Sequence, residues 1–447
     1  MGQHGSELAD NRGKTSAMKL LFFTPTIKRS AIGRMAALVV RELIAQGHAV
    51  TVVRTESISL QDQETHDFGV SLVPWNELHD RTQEIQTADQ FIYQVGDNYS
   101  YHEGCLHWMP KLPGIVCLHD FFLGSLFWAW SESRRDEADS ILRYYYGDAA
   151  AESYFNAANP AEFIADTHEI SPMTEWISSM ALGVITHSEW GCRRVLSACA
   201  GPVCVVPLAY NRFTALAPAQ TEGLELDQSL NLLTIGHVNA NKRVESVIRA
   251  ISSNPDLKRH ITYTLVGFIE QEVELALSSL ARRLGVKLVI SGQVDDTELA
   301  QAISNSDVVS CLRWPTLEAA SASAIEAMLY GKAVICTDAG FYAELPDDCI
   351  FKILPQNEID DLSLCLTKLL HDRDLIMSYG ENAQRWASKT FVASDYARSV
   401  EQMVARVLAA SPVLEALGYF SDIGNTWSGA DTYLLAEDDR RALGIFT

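Results

Sequence analysis

Short apolar runs alternate with amphipathic helical patterns along most of the chain, and this alternation restricts the possible folds more than any other feature. The apolar run MKLLFFT (18–24) is followed by a helical pattern, RMAALVVRELIAQ (34–46), and then by a second run, AVTVVRT (49–55). Apolar residues in the middle segment recur at helical spacing, and Gly47 follows as a stop signal. This βαβ pattern predicts a parallel sheet flanked by helices.

The same alternation resumes at residue 229, after a stretch that lacks a regular period. The second series of predicted strands is LNLLTIG (230–236), TYTLVG (262–267), VKLVISG (286–292), DVVSCL (307–312) and AVICTD (333–338). At 447 residues the chain is longer than one hydrophobic core usually serves. We therefore predict two doubly wound α/β domains, and a ligand site in the cleft beyond the carboxyl ends of their strands.

Local composition predicts the boundaries of these domains. The first 17 residues are polar and without period, residues 121–178 are helical in composition and rich in aromatic and acidic residues, and residues 210–228 contain Pro, Gly and acids without regular spacing. The predicted parts are an N-terminal extension (1–17), a first Rossmann-like domain (18–209) with a helical insertion (about 121–178), a linker (210–228), a second Rossmann-like domain (229–395) and C-terminal helices that cross back to the first domain (396–447).

Charge and cysteine usage exclude several classes of function. The formal net charge of −22 argues against a nucleic-acid partner, because phosphate contacts need clustered Lys and Arg. Nine scattered cysteines without CxxC spacing indicate free buried thiols in a reducing compartment and argue against a metal cluster. The polar N-terminus resembles no secretory signal, so we expect a cytoplasmic protein. A peripheral contact with the inner face of a membrane, through a local basic patch, stays open.

The longest aromatic stretch, FFLGSLFWAW (121–130), allows two interpretations. It is about half the length of a membrane span, and its rings could stack on a sugar or touch a lipid. Aromatic residues in such runs are more often buried in a core, which is the interpretation we favour.

The stretch RWPTLEAASASAIEAMLYGKAV (313–334) places Glu318 and Glu326 eight positions apart around a run of small residues. Because DVVSCL precedes it as a strand, RWPTLEAAS is the loop at the carboxyl end of that strand, and a helix is predicted from about Ser321. The unpaired amides of a first helical turn favour a phosphate, and small residues allow it to approach closely. A diphosphate at the helix tip would leave one carboxylate for a sugar and the other for a ribose. The alternative is a surface loop followed by a capping serine and an exposed helical glutamate.

Several motifs in this half of the chain resemble one known family. The segment PTLEAASASAIEAMLYGKAVICTDAGFYAELP (315–346) is similar to the signature of retaining GT-B glycosyltransferases of family four, the glycosyl transferases group 1 type, whose two glutamates stand in an E-x-x-S-x-S-x-x-E-A-M pattern. LLTIGHVNANKRVESVIRAI (232–251) resembles the family's phosphate loop, and SGQVDDTELAQAISNSDVVSCLRWPT (291–316) its base-binding loop and the strand behind it. The resemblance is strong over 229 to about 395. It is weaker over 18–207, where KRSAIG (28–33) and CLHD (117–120) are family-like.

The resemblance implies roles for residues of the second domain. Glu318 would bind the hydroxyls of the donor sugar, and Glu326 would bind the ribose. Lys242, together with Gly236 and His237 of the phosphate loop, would face the diphosphate, although His237 stands where the family usually has arginine. Val294 would meet the base through its backbone. The amides expected to hold the diphosphate are those of Ala319, Ala320, Ser321 and Ala322.

In the first domain the resemblance points to three residues. Gly33 would mark a turn where backbone approaches the donor or acceptor closely, although such turns often contain glycine for other reasons. His119 would lie next to the reacting sugar, and the alternative is a structural histidine paired with Asp120. His187, in THSEW (186–190), is a weaker candidate for approaching the phosphates.

Taken together, the resemblance implies an enzyme that transfers a hexose from a nucleoside-diphosphate sugar to a hydroxyl of a glycan or a lipid-linked glycan, with retention of anomeric configuration, in surface polysaccharide biosynthesis. No cofactor is expected, and no divalent metal, because amides and cations bind the diphosphate in such enzymes. VDD (294–296) and EDD (437–439) are accordingly interpreted as a loop and a solvated tail. Two alternatives stay open: another GT-B-type nucleotide-sugar enzyme, such as a hydrolase or epimerase, and a catalytically silent sugar-nucleotide-binding subunit that regulates a partner transferase.

Overall fold

The computed structural model describes residues 17–210 and 229–426, with side chains described up to residue 419. Of the predicted linker, only its first residue is among these. Most of the predicted N-terminal extension and the acidic stretch at 437–439 also lie outside the described residues.

A seven-stranded parallel sheet forms the first domain. Its strands are β1 (Lys19–Thr24), β2 (Ala49–Arg54), β3 (Leu72–Pro74), β4 (Gln90–Val95), β5 (Ile115–Leu118), β6 (Gly183–Thr186) and β7 (Val203–Val205). They are arranged in the order β3-β2-β1-β4-β5-β6-β7, so that the chain runs outward from β1 in one direction and then from β4 in the other. The interior strands are apolar almost throughout because helices cover both faces of a doubly wound sheet.

Eight helices of the described chain flank this first sheet. They are α1 (Ala31–Ala45), α2 (Thr82–Thr87), α3 (Tyr99–Trp108), α4 (Gly124–Ser131), α5 (Arg135–Ser153), α6 (Pro160–Thr167), α7 (Thr174–Ser179) and α8 (Cys192–Ala198). The side chain of Ser30 caps α1, whose buried face includes Met35, Val39 and Leu43 at helical spacing. Helices α4 to α7 fill the long connection between β5 and β6.

A six-stranded parallel sheet forms the second domain. Its strands are β8 (Leu230–Ile235), β9 (Ile261–Val266), β10 (Lys287–Gly292), β11 (Val308–Cys311), β12 (Ala333–Thr337) and β13 (Ile350–Ile353), in the order β10-β9-β8-β11-β12-β13. The helices are α9 (Val244–Ser252), α10 (Pro255–His260), α11 (Gln271–Leu284), α12 (Asp296–Asn305), α13 (Ala322–Leu329), α14 (Glu358–His371), α15 (Arg373–Thr390) and α16 (Ala393–Thr426). The prediction of two parallel, doubly wound sheets is thus confirmed.

Helix α16 leaves the second domain and packs on the first, against α1, β5 and β6. Val400, Met403 and Val407 are buried in this contact. The helix comes so close to β6 that a Cβ atom at Gly183 would lie 2.8 Å from a methyl carbon of Val407. Glu401 pairs with the buried ring of His48 at the same interface.

Burial agrees with the expectations for the cysteines and the aromatic run. Every cysteine is a free thiol, and seven of the nine are buried. Phe121, Phe122, Phe127 and Trp130 are buried in the core of the first domain, which confirms that this run is core. Within the described ranges, no helix combines the length and apolar character needed to cross a membrane.

Candidate active site

The loop before α13 joins the two domains by main-chain hydrogen bonds. The amide of Ala319 donates to the carbonyl of His119 (2.8 Å), and Asp120 and Glu318 form an antiparallel bridge. The amide of Phe121 donates to the carbonyl of Leu317 (2.8 Å). These contacts hold Glu318 against the carboxyl end of β5, where a ligand site is expected in a sheet of this kind.

Two side chains of the second domain orient the carboxylate of Glu318. The hydroxyl of Tyr342 donates to its Oε1 (2.5 Å), and Nε of Arg313 lies 3.4 Å from the same oxygen. Arg313 and Tyr342 are both buried. Neither residue was predicted from the sequence. The available signal was the position of Arg313, a charged residue just beyond the end of β11 in the loop that leads to α13.

The start of α13 lies where the small-residue pattern predicted it. Ser321 is the N-cap residue, and its hydroxyl accepts from the amide of Ala324 (3.4 Å). Among the described residues, the amides of Ala320, Ser321 and Ala322 have no hydrogen-bond acceptor. The amide of Ala319 is already used by His119, so three of the four predicted amides, not all four, remain for an anion.

Lys242 lies beside this helix tip and is buried. Its ammonium group donates to the carbonyl of Ile235 at the end of β8. A Cβ atom at Gly236, which has a φ of +86°, would lie 2.8 Å from Nζ of Lys242 and 3.8 Å from Oγ of Ser323. The positive φ favours glycine here, and a side chain at this position would have to displace the end of the Lys242 side chain. Burial lowers the pKa of Lys242 well below its usual value, and the nearby Arg313 lowers it further.

His237 follows Gly236 on the same loop and is exposed. Its ring packs against Phe268, with the ring centroids 5.2 Å apart. Desolvation lowers the pKa of His237 below 6.5, the positive charge of Lys242 lowers it further, and Glu270 acts in the opposite direction. The imidazole is thus neutral at pH 7, unlike the arginine that it replaces.

Glu326 points inward from α13 and is only 3% exposed. The alternative of an exposed helical glutamate is therefore wrong. Its Oε2 accepts from the hydroxyl of Tyr210 (3.2 Å) and lies 3.5 Å from Nη2 of Arg34, and its buried Oε1 has no hydrogen-bond partner among the described residues. Burial raises the pKa of Glu326 to about 6, Arg34 lowers it, and Asp296 raises it. Sequence reasoning missed Arg34 and Tyr210.

Val294 is half-buried in the loop that precedes α12. Asp295 and Glu298 form a capping box at the start of that helix, so the VDD acids include a helix cap. Asp296, the first residue of α12, raises the pKa of Glu326, so its charge acts on the same carboxylate. Across the described part of the chain, no three His, Cys, Asp or Glu residues are grouped so that they could hold a metal ion.

His119 is buried at the end of β5, and its Nε2 donates to Oε1 of Gln94 (2.7 Å). The ring of His187 lies beside it, with the centroids 4.7 Å apart. Burial, reinforced by His187 and His102, lowers the pKa of His119 well below 6.5, so the ring is neutral. The ring is paired with Gln94 and not, as the structural alternative supposed, with Asp120, whose Oδ2 accepts from the amide of Asp97 (2.9 Å).

Gly33 has a local reason to be glycine. A Cβ atom there would lie 2.5 Å from the carbonyl oxygen of Pro25, and its amide donates to the capping hydroxyl of Ser30 (3.0 Å). The backbone that approaches Gly33 closely is that of Pro25, in the same domain. This packing explains the residue type without a ligand.

The architecture of two parallel, doubly wound sheets, with the Glu318 loop of the second domain at the carboxyl end of β5 in the first, is that of the GT-B glycosyltransferase fold. The Anabaena protein HepE, solved in complex with UDP, superposes with a TM-score of 0.60 at 16% identity, covering 88% of this chain and 100% of that chain. At that level of identity the similarity shows the fold.

Residues 220–386 match the family model of glycosyl transferases group 1, and this region of the chain belongs to that family. Lipopolysaccharide glucosyltransferase WaaG of Escherichia coli is 31% identical over 173 residues, which cover 38% of this chain and 44% of that protein. MMP alpha-(1->4)-mannosyltransferase of Mycolicibacterium hassiacum is 29% identical over 160 residues, which cover 32% of this chain and 38% of that protein. The matches thus span less than half the length of these curated relatives.

Proposed function

We propose that this protein is a retaining, metal-independent glycosyltransferase that moves a hexose from a nucleoside-diphosphate sugar to a hydroxyl of a glycan or lipid-linked glycan. One observation carries the proposal. The loop that bears Glu318 and leads into α13 is hydrogen-bonded to the His119 strand end of the first domain (Ala319 amide to His119 carbonyl, 2.8 Å), so the carboxylate and the helix tip lie at the junction of the two domains. Surface polysaccharide assembly is the proposed setting, because the WaaG relative is a lipopolysaccharide glucosyltransferase.

The donor diphosphate would bind at the tip of α13. The amides of Ala320, Ser321 and Ala322 would direct their partial positive charge at this position, and Lys242 would supply a buried cation beside it. A bound diphosphate would raise the lowered pKa of Lys242, because an adjacent anion favours the protonated amine. The ribose would take the unpartnered Oε1 of Glu326, and the base would lie on the backbone of Val294.

The reacting sugar would lie between Glu318 and His119. Glu318, held by Tyr342 and Arg313, would accept hydrogen bonds from the sugar hydroxyls and offset positive charge at the anomeric carbon as the diphosphate leaves. The neutral ring of His119 supplies a hydrogen-bonding group without charge. Retention is proposed to follow from attack on the face that the diphosphate leaves: the anomeric carbon–oxygen bond breaks, the acceptor oxygen bonds on the same face, and the acceptor's proton passes to a departing diphosphate oxygen.

The test is release of nucleoside diphosphate from a panel of UDP-, GDP- and ADP-linked hexoses, with and without glycan acceptors. We expect one donor to give acceptor-dependent release, and NMR of the product to show the donor's anomeric configuration. An inverted product would refute retention. Tight binding of a sugar nucleotide without turnover on any acceptor would identify the silent subunit instead, and release without an acceptor at the same rate would identify a hydrolase.

A further inference from the structure

Glu326, the residue proposed to bind the ribose, is contacted by two side chains of the first domain. Arg34 lies on α1 and Tyr210 follows the last strand of the first sheet, 292 and 116 residues away from Glu326 in sequence. Both contact the same oxygen, Oε2, at 3.5 and 3.2 Å. The guanidinium of Arg34 also lies over the ring of Tyr210, 4.9 Å from its centroid, so the three side chains form one cluster.

The two carboxylate oxygens of Glu326 have different surroundings in this cluster. Oε2 is held by the first domain, whereas Oε1 is buried and without a partner among the described residues. A buried acceptor oxygen without a donor is costly, and a ligand hydroxyl that donates to it recovers that cost. Held through Oε2, the carboxylate cannot rotate freely, so Oε1 stays directed to one position.

We propose that Arg34 and Tyr210 are positioning residues for the nucleotide: from the first domain, they fix Glu326 through Oε2 so that Oε1 can bind the ribose. The inference rests on the proposed nucleotide site and adds to it, because it makes nucleotide affinity depend on two residues outside the nucleotide-binding domain. Neither residue is assigned a contact with the ligand itself.

The charges around Glu326 give this role a measurable signature. Arg34 is a cation near Glu326, and Asp296, the first residue of α12, is an anion near it. Among the described residues, the ring of His66, which is affected by Arg34 and Asp296, and the thiol of Cys311, which is affected by Glu326, are further titratable groups near the cluster. An ionised carboxylate is the stronger hydrogen-bond acceptor, both for Arg34 and Tyr210 at Oε2 and for a ribose hydroxyl at Oε1, so affinity should fall as pH falls through about 6 in the wild type. Removal of Arg34 takes away the stabilising cation, so this fall should begin at a higher pH.

The experiment is calorimetric titration of the full chain with UDP, GDP and ADP, followed by the preferred nucleotide against each variant between pH 5.5 and 8. We expect Arg34→Met to weaken binding about tenfold at neutral pH, and Tyr210→Phe about threefold, both within the range of a typical net hydrogen-bond contribution. Arg34→Lys should restore most of the pH profile because it restores the positive charge. The glutamine of Glu326→Gln cannot titrate, so the fall in nucleotide affinity through about pH 6 that is due to Glu326 should be absent from this variant. Protonation of the diphosphate is common to all variants and cancels in the comparison.

Arg41→Met is the matched control. Arg41 lies on the same helix as Arg34 and pairs with Asp67 at the surface, where both side chains are largely exposed (48% and 82%). It should leave affinity and pH profile at wild-type values. If wild type and Glu326→Gln differ as expected but Arg34→Met matches wild type in affinity and profile, the positioning role is refuted while the nucleotide site stands. If the wild type binds none of the nucleotides, or if Glu326→Gln binds like wild type, the ribose site fails and the inference fails with it.

Discussion

Asp120 and Glu318 face each other across an antiparallel bridge that ties the first domain to the second. Burial raises the pKa of Asp120 to about 7, the amide of Asp97 lowers it, and the charge of Glu318 raises it. Two carboxyl groups therefore stand close together at the domain junction, and the guanidinium of Arg313 lies 3.4 Å from Glu318.

Glu318→Gln should separate binding from chemistry. The glutamine keeps the shape and one acceptor oxygen, so the nucleotide portion of the donor should bind with near-normal affinity. The lost negative charge matters most in the transition state, and we expect kcat to fall about a hundredfold to a thousandfold. Steady-state kinetics and nucleotide titration measure the two effects. Glu381→Gln, at an exposed position on α15, is the control. A folded Glu318→Gln variant with wild-type kcat would remove this carboxylate from the reacting sugar.

His237→Arg should strengthen donor binding at neutral pH. The wild-type imidazole is neutral there because its pKa lies below 6.5, whereas arginine is always charged. Since the position is exposed and screened, we expect a gain of about fivefold, or roughly 1 kcal/mol. The gain should shrink at high salt. Equal donor affinity of the two proteins at low salt would show that position 237 does not face the diphosphate.

Diphosphate binding should be accompanied by proton uptake. Burial and Arg313 lower the pKa of Lys242, and a bound anion should raise it, so the amine takes up a proton as the ligand enters. Calorimetry at about pH 8, where the ordinary lysine amine is protonated and the free diphosphate is ionised, detects this as a binding enthalpy that depends on the buffer. Lys242→Met should abolish that dependence and weaken binding. A wild-type enthalpy that is the same in phosphate-free buffers of different ionisation enthalpy would contradict the prediction.

Chelation should leave turnover largely intact. Three amides at the tip of α13 and the Lys242 side chain supply the positive field that a metal would otherwise provide. Turnover measured in EDTA and in excess Mg²⁺ or Mn²⁺ checks this. Loss of activity in EDTA that either metal restores would overturn the proposed metal-independent chemistry.

The features that could be predicted from the sequence are those that depend on residues close together in the chain. The start of α13 follows from Ser321 as a cap and from the small residues around it, and the strands follow from short apolar runs bounded by turns. Strands β3, β7 and β13 were not predicted. Each lies at an edge of its sheet and is only partly buried, so it lacks the continuous apolar run of the interior strands.

What sequence could not predict depends on contacts between distant segments. Arg34 and Tyr210 reach Glu326 only after both domains have folded and met, and no spacing in the chain records that meeting. Likewise, the alternative for His119 placed its partner next to it in sequence, whereas the ring bonds to Gln94 on the neighbouring strand. In a parallel sheet, strand ends that are far apart in the chain become neighbours in space. The hydrogen-bond partner of a side chain at a strand end therefore depends on the strand order, which sequence spacing does not give.

The path of α16 has a consequence for biosynthesis. The apolar surface of α1, β5 and β6 that α16 covers is synthesised before the second domain, whereas α16 follows the whole of the second domain in the chain. During translation of the whole second domain, the first domain therefore carries an uncovered apolar strip, at the stage when nascent chains are most prone to association. The hydrophobic surface of the first domain is therefore completed only after the second domain has been synthesised.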